Sequence, residues 1–568
     1  MPAGDERGRP AREASEVVEA QQTAAESPTR SQDAAPSAPA GGPAGGPAAH
    51  IAIVGAGPSG LFAAQALVAQ DRMPVVVEIF DRLPTPYGLL RYGVAPDHDN
   101  IKAVGDALAR TFEHGGVEFW GLVDFGRDIT RRELLAGYDA VIYAVGADED
   151  VRLGIPGERM IGSRSAREFV SWYGGHPDAR PQDLSGVRGA AAIGVGNVAV
   201  DVARILLKEP AALERTDMPP HVLAELHRAD VRDVWIVGRR GPEHASYTTK
   251  ELRELVTLPG VQVLLDPATL PVDGTDGLPR RVRGNLDVLA RAAATTVPDA
   301  QRRLHFEFWS RPVRLHADDA GAAHDADVLD DDLLDADALD ASQGPDDRND
   351  REARPVGGVT AIAADDLEEP TAEQVVGMEL ERTRLDDDGR VVGTGETTIV
   401  PVQLVLRAIG YRSTPLPDVP FDTVAAILPN VEGRVVDESG VVQPREYCTG
   451  WVKRGPLGVI GSNKSDAAQT VAHLLDDLES AGLPRAGQER LDVVALLRER
   501  GRAPSTLADW RAIDSAEVER GQGLGRARTK LSRWHELLAV ISGEREAPSA
   551  GAPCADLPSA DVTGATRA

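Results

Sequence analysis

The folded part of the chain opens on HIAIV, residues 50–54, an apolar run of the length of a buried strand. A turn through Gly55, Ala56, Gly57, Pro58, Ser59 and Gly60 follows at once, and the pattern then switches to LFAAQALVAQ, whose spacing predicts a helix. A second strand is predicted over 75–80 and ends at Asp81. The same order of strand, turn and helix returns in AAAIGVGNVAVDVARILL from Ala190, with the turn at Gly194 to Ala199 and with Val200, Ala203, Leu206 and Leu207 on one apolar side of the helix. Its next strand, VWIV over 234–237, ends in Gly238, Arg239 and Arg240. Two further apolar strands, within YDAVIYAVGA (138–147) and LVLRAIGYR (404–412), each end in a turn of small residues and glycine. Toward the C-terminal end, CTGWVKRGPLGVIGSNKSD (448–466) approaches a helix pattern, AAQTVAHLLDDL.

A glycine turn between a strand and a helix is built for a dinucleotide. Gly55 allows the tight turn, Gly57 lets backbone approach a pyrophosphate, and Gly60 allows close helix packing. Phosphate oxygens then meet free N–H groups at the positive end of the helix. Asp81 stands at a strand tip, where a ribose hydroxyl pair would lie; Glu78 competes for that role but sits within the strand. In the second unit Ala199 replaces the third glycine, and two arginines stand where an NAD site would place an acid. Guanidinium groups suit a 2'-phosphate, which points to NADP(H). Arg239 lies 45 residues beyond Gly194, against about twenty in a simple unit, so an excursion over 208–230 is expected, with Glu214 an exposed residue on it. The 448–466 segment, with Trp451, would set backbone N–H groups against the pyrimidine end of a flavin, where reduction builds negative charge.

These units predict an α/β fold of two Rossmann-like dinucleotide-binding domains, FAD and NADP, with the NADP domain inserted in the FAD domain. The expected organisation is a disordered extension over 1–48, the first part of the FAD domain over 49–147, the NADP domain over 148–405, the second part of the FAD domain with C-terminal helices over 406–546, and a disordered tail over 547–568. Within the NADP domain, 317–353 holds fourteen acids against two arginines and is expected to be a disordered acidic insert.

Composition narrows the chemistry. The 568 residues carry only Cys448 and Cys554, which leaves no disulfide framework, redox pair or thiolate set for a zinc or iron–sulfur centre, and no metal site is indicated. Redox chemistry must sit on a bound cofactor. A formal net charge of -28 argues against nucleic acid as a partner. No run reaches the roughly 18 apolar residues that cross a membrane, so no membrane insertion is expected. The first 48 residues hold seven acids and four arginines, unlike a signal or transit peptide, and the expected location is the cytoplasm.

Taken in order, GAGPSG, LPTPYGLLRYGVAPDH (83–98), GNVAVDVARILL, VGRRGP with TTKELREL, LVLRAIGYR and GWVKRGPLGVIGSNKSD resemble the adrenodoxin reductase family of ferredoxin-NADP(+) reductases over about residues 49–490. The resemblance implies a monomer that passes a hydride from NADPH to FAD and then single electrons to a ferredoxin-type iron–sulfur protein. It implies FAD contacts at Gly55, Gly57, Ser59, Gly60, Asp81, Leu89, Val123, Trp451, Gly458, Val459 and Ile460. It implies NADP contacts at Val195, Gly196, Asn197, Val198, Arg239, Arg240, Glu251 and Gly458. His98 either orients the carboxamide or relays a proton, or is a hydrogen-bonded loop histidine. Asp201 reads as a polar helix residue. Basic candidates for ferredoxin docking are Lys102, Arg110, Lys453, Arg454, Lys464 and the group at 280–291. Two other readings remain: an electron-donor subunit resembling the glutamate synthase small chain, and a catalytically silent flavin-binding sensor module with the acidic insert as its interaction element.

Overall fold

The structure, a computed structural model, describes residues 47–271, 277–318, 372–456, 458, 460–482 and 489–543, with the backbone alone at 99–103. Val459, Cys554, the Lys102 side chain, the C-terminal tail and nearly all of the N-terminal extension and the acidic insert lie outside the described residues.

The first apolar runs form β1 (Ala49–Val54), β2 (Val75–Phe80), β3 (Val117–Trp120) and β4 (Ala140–Tyr143). β1 pairs in parallel with both β2 and β4, and β3 continues the sheet beyond β2. Parallel strands covered on both faces read as continuous apolar runs, and the side chains of Ile51, Ala52 and Ile53 are all fully buried. The helix Pro58–Ala69 buries Leu61, Ala64 and Leu67 in one core with Ala467, Val471 and Leu474 of the later helix Ser462–Ser480. Each fully buried leucine there contributes about 1.5–3 kcal/mol.

After β5 (Glu149–Asp150) the chain builds a second sheet from β6 (Ser163–Ser165), β7 (Gly189–Ile193), β8 (Asp233–Gly238), β9 (Val261–Leu265) and β10 (Arg302–Phe308). The antiparallel trio β11 (Ser310–Ala317), β12 (Val375–Leu385) and β13 (Val391–Val400) follows, and β14 (Leu404–Arg407) then returns to lie between β6 and β7. The sheet order is β6-β14-β7-β8-β10-β9, and every described pair in it is parallel. The excursion between the second turn and β8 holds two helices, Pro210–Leu213 and Pro220–Arg228, with Glu214 exposed between them.

β15 (Tyr411–Arg412) pairs with β5, and β16 (Asn430–Val431), β17 (Arg434–Val436) and β18 (Val442–Cys448) then rejoin the first sheet, β18 lying parallel to β4. The seven-stranded order is β16-β17-β18-β4-β1-β2-β3. The six-stranded sheet is thus enclosed, along the chain, by the two parts of the seven-stranded one.

The C-terminal helices fasten both sheets together. Glu517, on the helix Leu507–Gln522, accepts from Arg91 at 3.0 and 2.5 Å and from Leu531 N–H at 2.8 Å, with both side chains of the ion pair buried. Trp510 packs against the Arg91 guanidinium, 5.0 Å from its ring centroid. Buried Lys530 donates to the carbonyls of Arg91 at 2.6 Å and Gly174 at 3.1 Å, joining the 83–98 loop to the second unit. That loop is not wholly irregular: one helical turn, Leu89–Tyr92, lies within it. Among the described residues, no helix is long and apolar enough to cross a membrane.

Candidate functional site

The first turn carries the chain from β1 into the helix Pro58–Ala69. A Cβ at Gly60 would collide with the Gly55 carbonyl oxygen, so helix and turn can meet this closely only at glycine. A Cβ at Gly57 would meet nothing within 4 Å, which leaves open volume over the turn. The carboxylate of Asp81 reaches into the turn, accepting from Ala56 N–H at 2.7 Å and Leu83 N–H at 2.9 Å. Burial raises its pKa, and the two N–H donors oppose that rise. Glu78 is committed elsewhere, to Trp120 Nε1 at 2.8 Å and Tyr138 Oη at 2.7 Å. Leu89 is 37 % exposed beside the turn-forming loop. Val123 donates its N–H to the Asp81 carbonyl at 2.9 Å, but its side chain is withdrawn into the core, which leaves only backbone for a ligand to touch.

The 448–466 segment closes over the same turn. A Cβ at Gly450 would overlap Ser59 Oγ, so the two segments are in contact. Gly450 N–H and Thr449 Oγ1 both donate to Asp466, at 2.7 and 2.9 Å. Burial opposes charge on Asp466, but Gly450, Lys453 and Arg454 outweigh it and hold its pKa below the ordinary value. Trp451, half-buried, stacks on Tyr411 with centroids 5.6 Å apart. Gly458 and half-buried Ile460 lie immediately before the helix Ser462–Ser480.

At the second turn Gly194 has φ +129°, and a Cβ there would overlap the Ala408 carbonyl oxygen. Val195 O accepts from Ser246 N–H at 3.0 Å, and Asn197 Oδ1 accepts from Thr248 N–H at 2.9 Å. Thr248 in turn caps the helix Thr249–Val256, accepting from Glu251 N–H at 3.3 Å. The turn therefore positions Glu251 across a gap of fifty residues. Gly196 and Val198 stand at the start of the helix Asn197–Leu207, whose Gly196 cap offers no side-chain acceptor. Arg239 and Arg240 sit half-buried just past the tip of β8.

The two units meet at His98. Its Nε2 lies 2.9 Å from Asp201 Oδ1 and 2.8 Å from Arg204 Nη2, both on the second unit's helix. Arg204 also grips Asp97 at 3.0 and 2.8 Å, and Lys208 reaches the same carboxylate at 2.8 Å. Burial works against charge on His98; the hydrogen bond and charge of Asp201 overcome it and raise the pKa above the ordinary imidazole value. Burial likewise raises the pKa of Glu251, which is 8 % exposed. Asp201 is thus more than the polar helix residue its sequence suggests. The polar stripe Asn197, Asp201, Arg204 and Lys208, on a helix apolar everywhere else, is the periodic signal that marks it.

This chain is 39 % identical over 507 residues to NADPH-ferredoxin reductase FprA of Mycobacterium leprae, covering 87 % of this chain and 98 % of that one. It is 39 % identical over 498 residues to human mitochondrial NADPH:adrenodoxin oxidoreductase, covering 86 % and 91 %. The chain belongs to the NADPH-ferredoxin/adrenodoxin reductase family. The structure of the Mycobacterium tuberculosis reductase FprA in complex with NADPH superposes on this reductase with a TM-score of 0.73 at 37 % identity, covering 88 % of this chain and all of the other. No protein-family model matches the chain. These relatives favour neither the glutamate synthase reading nor the silent module. One docking candidate must be withdrawn for this ferredoxin reductase: Lys453 is buried, with Nζ 2.9 Å from Asp466 Oδ1, because it neutralises that carboxylate inside the fold. Arg110, Lys464, Arg280, Arg281, Arg283 and Arg291 are exposed.

Proposed function

We propose that this reductase takes reducing equivalents from NADPH and delivers them to a ferredoxin-type iron–sulfur protein, with FAD at the first glycine turn and NADP(H) at the second. When bound, FAD supplies the conversion between the two-electron and one-electron carriers. The residues present fit both cofactors. Open volume above Gly57, at the N-terminus of the helix Pro58–Ala69, suits a pyrophosphate. Asp81, pinned by two backbone N–H groups, keeps acceptor capacity for a ribose hydroxyl pair. Arg239 and Arg240 suit the 2'-phosphate.

The observation that carries the reading is the junction at His98. The loop that packs on the first turn delivers this side chain onto the second unit's helix, at Asp201, and beside Glu251. His98 and Glu251 would accordingly meet the carboxamide end of NADP(H), with Trp451, Gly458 and Ile460 as the residues that would contact the flavin. The pairing of Asp97 with Arg204 and Lys208 fixes the junction.

Adding NADPH anaerobically to the purified flavoprotein tests this. Loss of the flavin's visible absorbance, followed by cytochrome c reduction that depends on added ferredoxin, is the expected result. Unchanged absorbance would overturn the proposal.

A further inference from the structure

Side chains from two segments far apart in sequence converge beside the His98 junction. A ring nitrogen of His98 and one carboxylate oxygen from each of Glu251 and Glu254 lie within 4.8 Å of one another. Glu251 and Glu254 share a helix face three residues apart. The space between the three is not closed by ordinary hydrogen bonds: Nδ1 to Glu254 Oε2 is 3.8 Å, too long for one. Glu251 Oε2, on a side chain more than nine-tenths buried, has no hydrogen-bond partner. A buried, unpaired acceptor is costly unless something fills the place opposite it.

We propose that His98, Glu251 and Glu254 form a site for a divalent transition-metal cation of the zinc class, and that an occupying cation blocks entry of the nicotinamide end of NADPH. One imidazole and two carboxylates, with water completing the tetrahedron, is an ordinary open zinc set. The surrounding residues already match what such a ligand histidine needs. Its other nitrogen, Nε2, lies 2.9 Å from the Asp201 carboxylate, and a proton on Nε2 donated to Asp201 leaves the Nδ1 lone pair free for metal. Arg204 Nη2, 2.8 Å from the same Nε2, supports the opposite tautomer, in which Nε2 accepts and Nδ1 carries the proton. A cation at Nδ1 selects the first arrangement, in which Arg204 Nη2 gives up its contact with Nε2 and keeps its pairs with Asp97 and Asp201.

Charge favours the same occupant. Asp97, Asp201, Glu251 and Glu254 face Arg204, Lys208 and Lys250, leaving the cluster net negative with His98 neutral. Ligand atoms about 3.3 Å apart surround a tetrahedral zinc at about 2 Å, so Glu254 must move inward by about 1 Å. Its side chain is 41 % exposed and tied only loosely to Lys250, at 3.8 Å, which permits that shift.

The blocking half rests on the placement of NADP(H) proposed above; the site itself does not. Equilibrium dialysis of the purified holoenzyme against micromolar zinc chloride, with bound metal read by atomic absorption, tests the site. One zinc per chain is expected, with affinity at least tenfold weaker in Glu254→Gln and in His98→Gln. No stoichiometric zinc, or equal binding in both variants, would overturn the site. Saturating NADP+ should release the zinc, and zinc should raise KM for NADPH in wild type but not in Glu254→Gln. Zinc bound through these residues yet retained under NADP+ would refute the blocking role, whereas a failure of NADPH to reduce the flavin in zinc-free enzyme would refute the functional reading instead.

Discussion

Arg239 offers the sharpest test of cofactor choice. The perturbation is Arg239→Ala, which removes a half-buried guanidinium just beyond the tip of β8. The backbone there is held independently of the side chain, since Thr383 Oγ1 donates to the Arg239 carbonyl at 2.8 Å. Among the described residues no carboxylate pairs with the Arg239 guanidinium. Its removal therefore strands no buried acid, and the fold should tolerate the change. A hydrogen bond to a charged group contributes about 1.5–3 kcal/mol. Partial exposure places this contact at the lower end, about 1.5–2 kcal/mol, or roughly a 10- to 30-fold change in binding. KM for NADPH should rise by about that factor with kcat nearly unchanged, because the 2'-phosphate is bound equally in ground and transition states. The value of kcat/KM for NADH, which lacks that phosphate, should stay within about twofold of wild type. Steady-state rates with each coenzyme and a saturating artificial acceptor read both numbers. An unaltered KM for NADPH, or an equal loss with NADH, would refute the assignment of Arg239 to the 2'-phosphate.

Gly194→Ala puts a Cβ against the Ala408 carbonyl at φ +129°, a strain of about 1–3 kcal/mol; weakened NADP+ binding with the flavin spectrum retained is expected in a difference titration. Glu517→Gln leaves the buried Arg91 charge without its carboxylate, at about 3–5 kcal/mol, and should lower the unfolding temperature and speed proteolysis around 523–533; unaltered melting would contradict that role. The raised pKa of His98 means that its pairing with Asp201 stabilises the fold fully below the ordinary imidazole pKa and fades as pH rises through the folded value. Asp201→Asn should flatten that part of the stability profile from the ordinary imidazole pKa upward, followed by thermal unfolding.

Some of this protein is written locally. A glycine turn lies next to the strand that precedes it and the helix that follows it, so Gly55 to Gly60 and Gly194 to Ala199 could be placed from short-range pattern alone. The same holds for β2, predicted over 75–80 and found at Val75–Phe80, and for the arginine pair at the end of β8. Strand type, turn chemistry and charge at a strand tip are properties of a few consecutive residues. Sequence order also suggested that one unit is enclosed by the other, since the motifs of the first resume after those of the second.

Tertiary structure decided everything that depends on residues far apart in the chain. Asp201, Arg204 and Glu254 look like ordinary helix surface until the 83–98 loop sets Asp97 and His98 against them. Lys453 looks like a docking cation until Asp466 is found beside it. Arg91 and Glu517 are separated by 426 residues and become a buried pair only because the C-terminal helices fold back over the loop. A side chain's local pattern sets which face of its element it occupies, but its partner is set by how whole elements pack, and that packing has no short-range signature.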